Sequence, residues 1–281
     1  AAVAALVTFA RTGSLCEAEP SLLRGKRDHY GGVIVDPKAL PADAMAFERS
    51  LDNSIEEWKA DGVRGVWLQV PIDKSNLISL AVERQFTFHH AEQDYCMLTR
   101  WLPDTPCPLP PNASHQVGVG ALCVNEDGNI LLVQEAVGPS ARRFWKIPTG
   151  LLHAGEDIKD GVERELLEET GIHGTFEKVL TFRHGHAAPW GKSDLFFICL
   201  VRARSSGPFV LQEAEIAKAR WAPFAEFLEQ SPYPRDTPVW AKAYGSCIGP
   251  DGVVGNVGGI RVEQCSKAQK NPGEAYECVY Y

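Results

Sequence analysis

The sequence predicts an α/β protein in two parts, on three observations. Apolar runs alternate with amphipathic stretches between residues 28 and 102. Five prolines crowd the twelve residues 103–114. Beyond them, strand-like runs flank a single strongly acidic helix.

In the first part, "YGGVIVDP" (30–37) reads as a strand that closes in a turn. "LPADAMAFERSLDNSIEEWKADG" places Ala44, Phe47, Leu51, Ile55 and Trp58 at helical spacing and ends at Gly62, a residue suited to a C-cap. "RGVWLQVP" alternates like a strand and stops at Pro71, "SNLISLAVERQF" returns to helical spacing, and "YCMLTRWL" reads as a strand. The result is a β-α-β-α-β unit over 28–102, without a Gly-rich loop to hold a phosphate. The histidine pair in "FHHAEQDY" (88–95) is expected in domain packing. Proline locks φ and removes backbone donors, so "PDTPCPLPPNAS" (103–114) is expected to be a linker.

The second part, 115–230, opens with the strands "HQVGVGALCVN" and "NILLVQEA", joined by a turn at "EDGN". "FWKIPTG" is a further short strand, and the acidic helix follows it. "EKVLTFRH", "SDLFFICLVRA" and "IAKARWAPF" read as strands, and "FAEFLEQ" as a short helix. From 231 to 281 the pattern decays into a tail of unassigned role, where "IGPDGVVGNVGGIRVEQC" is rich in glycine.

Composition narrows the class of function. The chain has 281 residues, 44% hydrophobic and 23% charged, which is the balance of a globular protein with room for two domains. A formal net charge of −8 argues against general nucleic-acid binding, which leaves a basic footprint. No apolar run reaches the roughly 20 residues that a transmembrane helix needs. Eight cysteines are scattered without CxxC or zinc-finger spacing. Cys123 and Cys199 stand in apolar runs, as buried thiols do. That usage points to a reducing compartment, the cytoplasm first. The Ala-rich, acid-free opening "AAVAALVTFARTGSLC" also reads as the end of a transit peptide, which keeps plastid or mitochondrion as the alternative.

The chemistry concentrates in "GLLHAGEDIKDGVERELLEETGI" (150–172). Glu165, Glu168 and Glu169, with Arg164, fall within roughly 140° of one helix circumference, and like charges at i,i+3 and i,i+4 repel. A solvated acidic face is the ordinary explanation of such a helix, yet none of the three acids has a Lys or Arg four residues on to relieve it. The loop before the helix starts at Gly150 and contains Gly155, and glycines let backbone groups approach a ligand closely. Three carboxylates beside such a loop make an oxygen-rich site suited to Mg²⁺ or Mn²⁺.

The pattern G-x5-E-x7-R-E-U-x-E-E-x-G-U, with U aliphatic, resembles the signature of the Nudix hydrolases. Gly150, Glu156, Arg164, Glu165, Leu166, Glu168, Glu169, Gly171 and Ile172 fill every fixed position. Flanking stretches such as "RGVWLQVPID" and "KSDLFFICLVR" extend the resemblance over about 28–230. They are similar to a subgroup that includes plant ADP-ribose/NADH pyrophosphatases and an animal protein encoded antisense to basic fibroblast growth factor. The resemblance implies a Nudix α/β/α sandwich with a mixed sheet, preceded by a small pre-Nudix domain similar to half of a GCN5-type acetyltransferase (GNAT-like) fold. It implies that Glu165, Glu168 and Glu169 bind the divalent metal with the Gly150 carbonyl nearby, and that Glu156 and Arg164 support them. For the general base it leaves Glu165 first and Glu215 second. For function it implies metal-dependent hydrolysis of the pyrophosphate bond in a nucleotide-type small molecule, ADP-ribose or NADH first, releasing AMP. The alternatives are an mRNA-cap or oxidised-nucleotide hydrolase, or a Nudix-fold subunit with a structural role in an assembly. The first domain is expected to dimerise or to shape the substrate cleft, and acyl transfer is not expected.

Further residues are candidates for substrate contact. Phe144 and Trp145 could stack an adenine, although strand aromatics more often belong to a core. Arg183 and Lys192 could meet phosphate. His184 and His186 form an H-x-H without a third ligand nearby in sequence, so His186 is assigned to substrate and not to zinc.

Overall fold

This computed structural model describes residues 22–138, 141, 143–186, 191–260, 262–265 and 277–280. The Ala-rich opening lies outside the described residues. The chain divides into two compact units between Ala113 and Ser114.

The first unit carries a five-stranded sheet in the order β1-β2-β3-β5-β4 (β1 Gly25–Arg27, β2 Val33–Val35, β3 Gly65–Pro71, β4 Thr87–Ala91, β5 Tyr95–Trp101). β2 and β3 run parallel and the other neighbours antiparallel. Helix α1 (Ala44–Ala60) starts where the Asp43 side chain accepts from the Ala46 amide, and it buries Phe47, Leu51, Ile55 and Trp58. That stripe packs on Val66, Leu68, Val70 and Leu98, which alternate along β3 and β5, together with α2 (Ile78–Glu83). A 3-10 turn, Ile72–Leu77, takes the first part of the stretch expected as one helix. Both helices lie on one face of the sheet, because only that face is apolar throughout.

Two stretches of this unit find local partners. Residues 88–91, whose histidines were expected in domain packing, belong to strand β4, hairpin-paired with β5. His89 and His90 meet ring nitrogen to ring nitrogen at 2.7 Å, and His90 lies 3.2 Å from the Tyr95 hydroxyl, so these rings find partners within the unit. The proline-rich stretch is also held to the unit over much of its length. Trp101 Nε1 donates to Thr105 Oγ1 at 3.2 Å, His89 Nε2 meets the Pro110 carbonyl at 2.9 Å, and Leu109 packs over Gly65.

The second unit is built on β6 (His115–Val124), β7 (Ile130–Glu135), β8 (Thr149–Leu151), β9 (Gly174–Gly185), β10 (Ser193–Ala203) and β11 (Ile216–Ala222). The sheet order is β11-β7-β6-β10-β9, with β8 also paired to β6. β6 and β10 run parallel and the other pairs antiparallel, so the sheet is mixed. The near-continuous apolar runs are explained by burial on both faces. Val119, Ala121 and Cys123 face one way with Cys199 and Val201, under α3 (Ile158–Thr170). Leu122 and Val124 face the other way with Ile198 and Leu200, under α4 (Phe224–Leu228) and α5 (Pro238–Gly245). The unit is therefore an α/β/α sandwich.

Residues 231–260, set apart as a tail in the sequence reading, contribute to this core. Tyr244 is 1% and Cys247 0% exposed, and the Tyr233 and Tyr244 hydroxyls share a hydrogen bond of 2.7 Å. Trp240 and Tyr244 stand four apart on α5, but a helix of eight residues among Gly and Pro gives too short a run for its period to show. Beyond them, β12 (Val262–Cys265) pairs antiparallel with β13 (Glu277–Tyr280). Burial pushes the Cys123 and Cys247 thiols up to about 12, as inert core cysteines require. No described helix is long and apolar enough to cross a membrane.

Candidate functional site

The acidic helix is organised around Arg164. Its Nε and Nη2 donate to the two oxygens of Glu156 at 2.7 and 2.8 Å, a bidentate pair. Its Nη1 donates to Glu165 at 2.8 Å and to Glu168 at 3.1 Å, and Nη2 also reaches the Leu151 carbonyl at 3.1 Å. One guanidinium thus serves three carboxylates and ties the loop to the helix. Glu156 also accepts from the His153 amide at 2.9 Å. The Arg164 hydrogen bonds hold the Glu156 carboxyl well below the usual range, at about 2.

Gly150 fits beneath Glu165. A Cβ built on Gly150 would stand 1.8 Å from the Glu165 carboxyl carbon, so only glycine lets that carboxylate lie against the strand backbone. At the C-terminal end, Gly171 adopts φ of 73° and its amide donates to the Leu167 carbonyl at 2.8 Å, which stops the helix.

Glu169 differs from its neighbours in being 3% exposed. The Thr149 amide donates to it at 3.3 Å, and burial raises its carboxyl to about 8, opposed by the positive charge of Lys146. Lys146 gives its hydrogen bonds to Glu135 and to Thr149 Oγ1. The negative charges of Glu165 and Glu215 push Glu169 further up. Glu215 itself is exposed, and the loop that carries it is tied to α3 where the Gln212 amide donates to the Glu169 carbonyl. Glu215 therefore comes beside the box from about 50 residues away in sequence.

The remaining candidates scatter. Trp145 packs against the core under α4 and α5 and carries the Arg220 guanidinium over its ring at 4.4 Å. Phe144 stacks on Tyr233 at 4.9 Å between ring centres. Arg183 pairs with Asp194 and lies 4.8 Å over the Trp240 ring, on the α5 side of the sheet and away from α3. Lys192, half-buried, directly precedes β10. His186 accepts from or donates to Ser193 Oγ at 3.1 Å. His184 meets His115 Nε2 to Nε2 at 2.9 Å and packs against His186, so the H-x-H pair does have a third imidazole close by. His115 in turn lines a small pocket with Leu152, His153 and Glu156. Sequence reasoning did not single out His115, Lys146 or Thr149. The one available signal was a lysine inside the apolar stretch "FWKIPTG".

The NUDIX domain model matches residues 114–242, and a second model, described as a Nudix hydrolase domain, matches 23–102. Nudix hydrolase 5 of Arabidopsis thaliana is 42% identical over 76% of this chain and 72% of its own length. The chain belongs to the Nudix hydrolase family. Nudix hydrolase 8 of the same plant is 46% identical over 75% of this chain and 58% of its own length, so the chain spans under two thirds of that relative. The human protein called nucleoside diphosphate-linked moiety X motif 6 is 40% identical over 71% of this chain and 64% of its own length. Among solved structures, a NUDIX hydrolase from Nitrosomonas europaea is 28% identical over 47% of this chain and 86% of its own, at a TM-score of 0.39.

Nudix hydrolases generally use a divalent metal such as Mg²⁺. The donor set of this Nudix box suits such an ion. Glu165, Glu168, Glu169 and the Gly150 carbonyl offer only hard oxygens, and Glu169 is a buried acid whose nearest cation is already shared with Glu135. Arg164 occupies the space among the other acids, and among the described residues no three His, Cys, Asp or Glu side chains are arranged to share one ion.

Proposed function

We propose that this chain hydrolyses the pyrophosphate bond of a nucleoside diphosphate joined to a second moiety, with ADP-ribose or NADH as the first substrates and AMP as a product. The observation that supports it most is the complete Nudix box in one connected network, with Arg164 bracing Glu156, Glu165 and Glu168 while Glu169 stays buried beside them. The name of the human relative, nucleoside diphosphate-linked moiety X motif 6, points to the same class of substrate.

Glu165, Glu168 and Glu169, with the Gly150 carbonyl, would hold Mg²⁺ or Mn²⁺, which when bound neutralises phosphoryl oxygens and acidifies water. The protein's part is positioning. Arg164 fixes the rotamers of the acids, Glu156 fixes Arg164, and Gly150 leaves room for the Glu165 carboxylate. We assign the proton-accepting role to Glu215 ahead of Glu165. Glu165 already accepts a strong hydrogen bond from Arg164, whereas the exposed Glu215 carboxylate, among the described residues, has only a 3.4 Å contact from Gln212. A carboxylate with free lone pairs is the better acceptor.

The test is a panel of ADP-ribose, NADH, capped RNA and oxidised nucleoside triphosphates, with Mg²⁺ or Mn²⁺ supplied or chelated. Metal-dependent release of AMP from ADP-ribose or NADH is expected. Inertness toward both, with release of a capped nucleotide from RNA, refutes the proposal.

A further inference from the structure

The first unit leaves one face of its sheet without a helix, and that face holds a pocket of about 680 Å³. This is within the range of small-molecule sites, about 300–1,000 Å³. Its walls are Trp67, Trp101, Ile34 and Tyr30 on one side and Leu109 with Pro110 on the other. Tyr30 is 86% exposed and Ile34 47%, an expensive way to leave large apolar side chains unless something covers them. The proline-rich stretch closes the far side and is anchored there by Thr105, Leu109 and Pro110. That anchoring gives the pocket a bounded shape that an open sheet face lacks.

Two charged groups stand at this pocket, and they differ in what they already do. The Asp28 carboxylate accepts from the Tyr30 and Gly32 amides at 2.8 and 2.7 Å, so it is committed to its own turn. The Arg64 guanidinium lies 4.9 Å from the centre of the Trp101 ring, over its face, and, among the described residues, its side chain donates no hydrogen bond and forms no ion pair. Contact with the ring holds the guanidinium at the pocket while leaving its donors free, the arrangement that suits a carboxylate or a phosphate. Trp67 also presents an indole N–H that meets no acceptor among the described residues.

We propose that this pocket binds a small aromatic anion, its flat ring lodged among Trp67, Tyr30 and Leu109 and its carboxylate or phosphate held by Arg64. An aromatic carboxylate and a nucleoside monophosphate share this chemistry. The bounded volume and the single free cation favour such a ligand over a protein surface, which would need a wider flat patch. The pocket is lined by residues of the first unit alone, and the inference does not depend on which substrate the second unit hydrolyses.

The full chain, stripped of metal with chelator, would be titrated by calorimetry with 1-naphthoate, with AMP and with neutral 1-naphthylmethanol. At least one of the anions is expected to bind saturably, one per chain, with Kd below about 1 mM and at least about tenfold more tightly than the neutral alcohol. Arg64→Gln, at an exposed position, should weaken the anion at least about tenfold and leave the alcohol unchanged. Trp67→Leu should weaken every probe that binds. Loss of AMP binding in Arg64→Gln assigns the pocket to nucleotides, and loss of naphthoate binding alone assigns it to aromatic carboxylates. Absence of saturable binding by both anions overturns the proposal, as does an Arg64→Gln variant that binds them like wild type. If Trp67→Leu fails to fold, the Arg64 comparison still decides.

Discussion

Replacing Gly150 with alanine tests whether the contact between strand β8 and Glu165 is used in catalysis. The new Cβ would lie 1.8 Å from the Glu165 carboxyl carbon and 2.1 and 2.2 Å from its oxygens. Non-bonded carbons settle at about 3.5–4.0 Å, so the carboxylate must retreat by roughly 2 Å. The 2.8 Å hydrogen bond from Arg164 Nη1 then stretches past any useful length. A charge-assisted hydrogen bond contributes about 1.5–3 kcal/mol. The loss is partly offset by about 0.4–1 kcal/mol from the stiffer unfolded chain. A net destabilisation of about 1–2 kcal/mol follows, read as a fall in Tm of a few degrees. Activity should suffer far more, because a misplacement of about 1 Å at a reacting centre costs about a hundredfold. The assay is turnover on the best substrate of the nucleotide panel, with circular dichroism to confirm folding. Gly245→Ala is the control, since a Cβ there meets nothing within 4 Å. If Gly150→Ala keeps more than about a tenth of wild-type turnover, the position of Glu165 above Gly150 does not matter to the reaction.

Other outcomes follow from the same geometry. Glu168→Gln should leave the fold intact, weaken Mg²⁺ or Mn²⁺ binding and cut turnover by about tenfold to a hundredfold, checked by metal titration and kinetics. Glu156→Gln should cost up to about 3 kcal/mol at pH 7 in denaturant melts. The folded Glu156 carboxyl lies near 2, below its unfolded value of 4.5, so its contribution is present above pH 4.5 and disappears as pH falls toward 2. The mutant and wild type should therefore converge in acid, and an unchanged gap at pH 2.5 would contradict the Arg164 pairing. Limited proteolysis with a broad-specificity protease should cut within 111–114, which is exposed, before 103–110, which is anchored to the first unit. Hydrolysis of ADP-ribose or NADH should depend strongly on Mg²⁺ and weakly on added monovalent salt. A steep salt slope would instead point to several phosphate contacts, as in nucleic-acid binding.

How much of this was legible in the sequence depended on whether the information was local. The box could be read residue by residue, because loop, helix and capping glycine are contiguous and their spacing is dictated by the helical repeat. The strands β6, β7 and β10 showed as long apolar runs because both faces of each are buried. What failed to show was contact between segments distant in the chain. His115 meets His184 across 69 residues because β6 and β9 both pair with β10, and no spacing rule reports that. Lys146 reaches Glu135 by strand pairing, through the bridge between Val133 and Lys146. Trp145 looked like a stacking platform, yet Arg220 comes from β11 to cover it. The prolines of 103–111 excluded helix and sheet as expected, but their composition could not say that Leu109 would seat on Gly65.

The acidic helix poses an electrostatic problem that the fold solves only in part. Arg164 can offer five N–H donors, and Glu156, Glu165, Glu168 and the Leu151 carbonyl take all of its direction. Glu169 is on the same helix but turned inward, out of reach of that guanidinium, and the single lysine near it is shared with Glu135. A buried acid in that position is costly when ionised, which is why its carboxyl is raised to about 8. Glutamine would fill the same volume and hydrogen-bond to the Thr149 amide without that cost. A cation bound beside Glu169 would supply the charge that lets it ionise there. Glu169 is therefore the residue of the box that a bound metal would relieve most, because its one hydrogen bond, from the Thr149 amide, is long and its neighbouring lysine is shared.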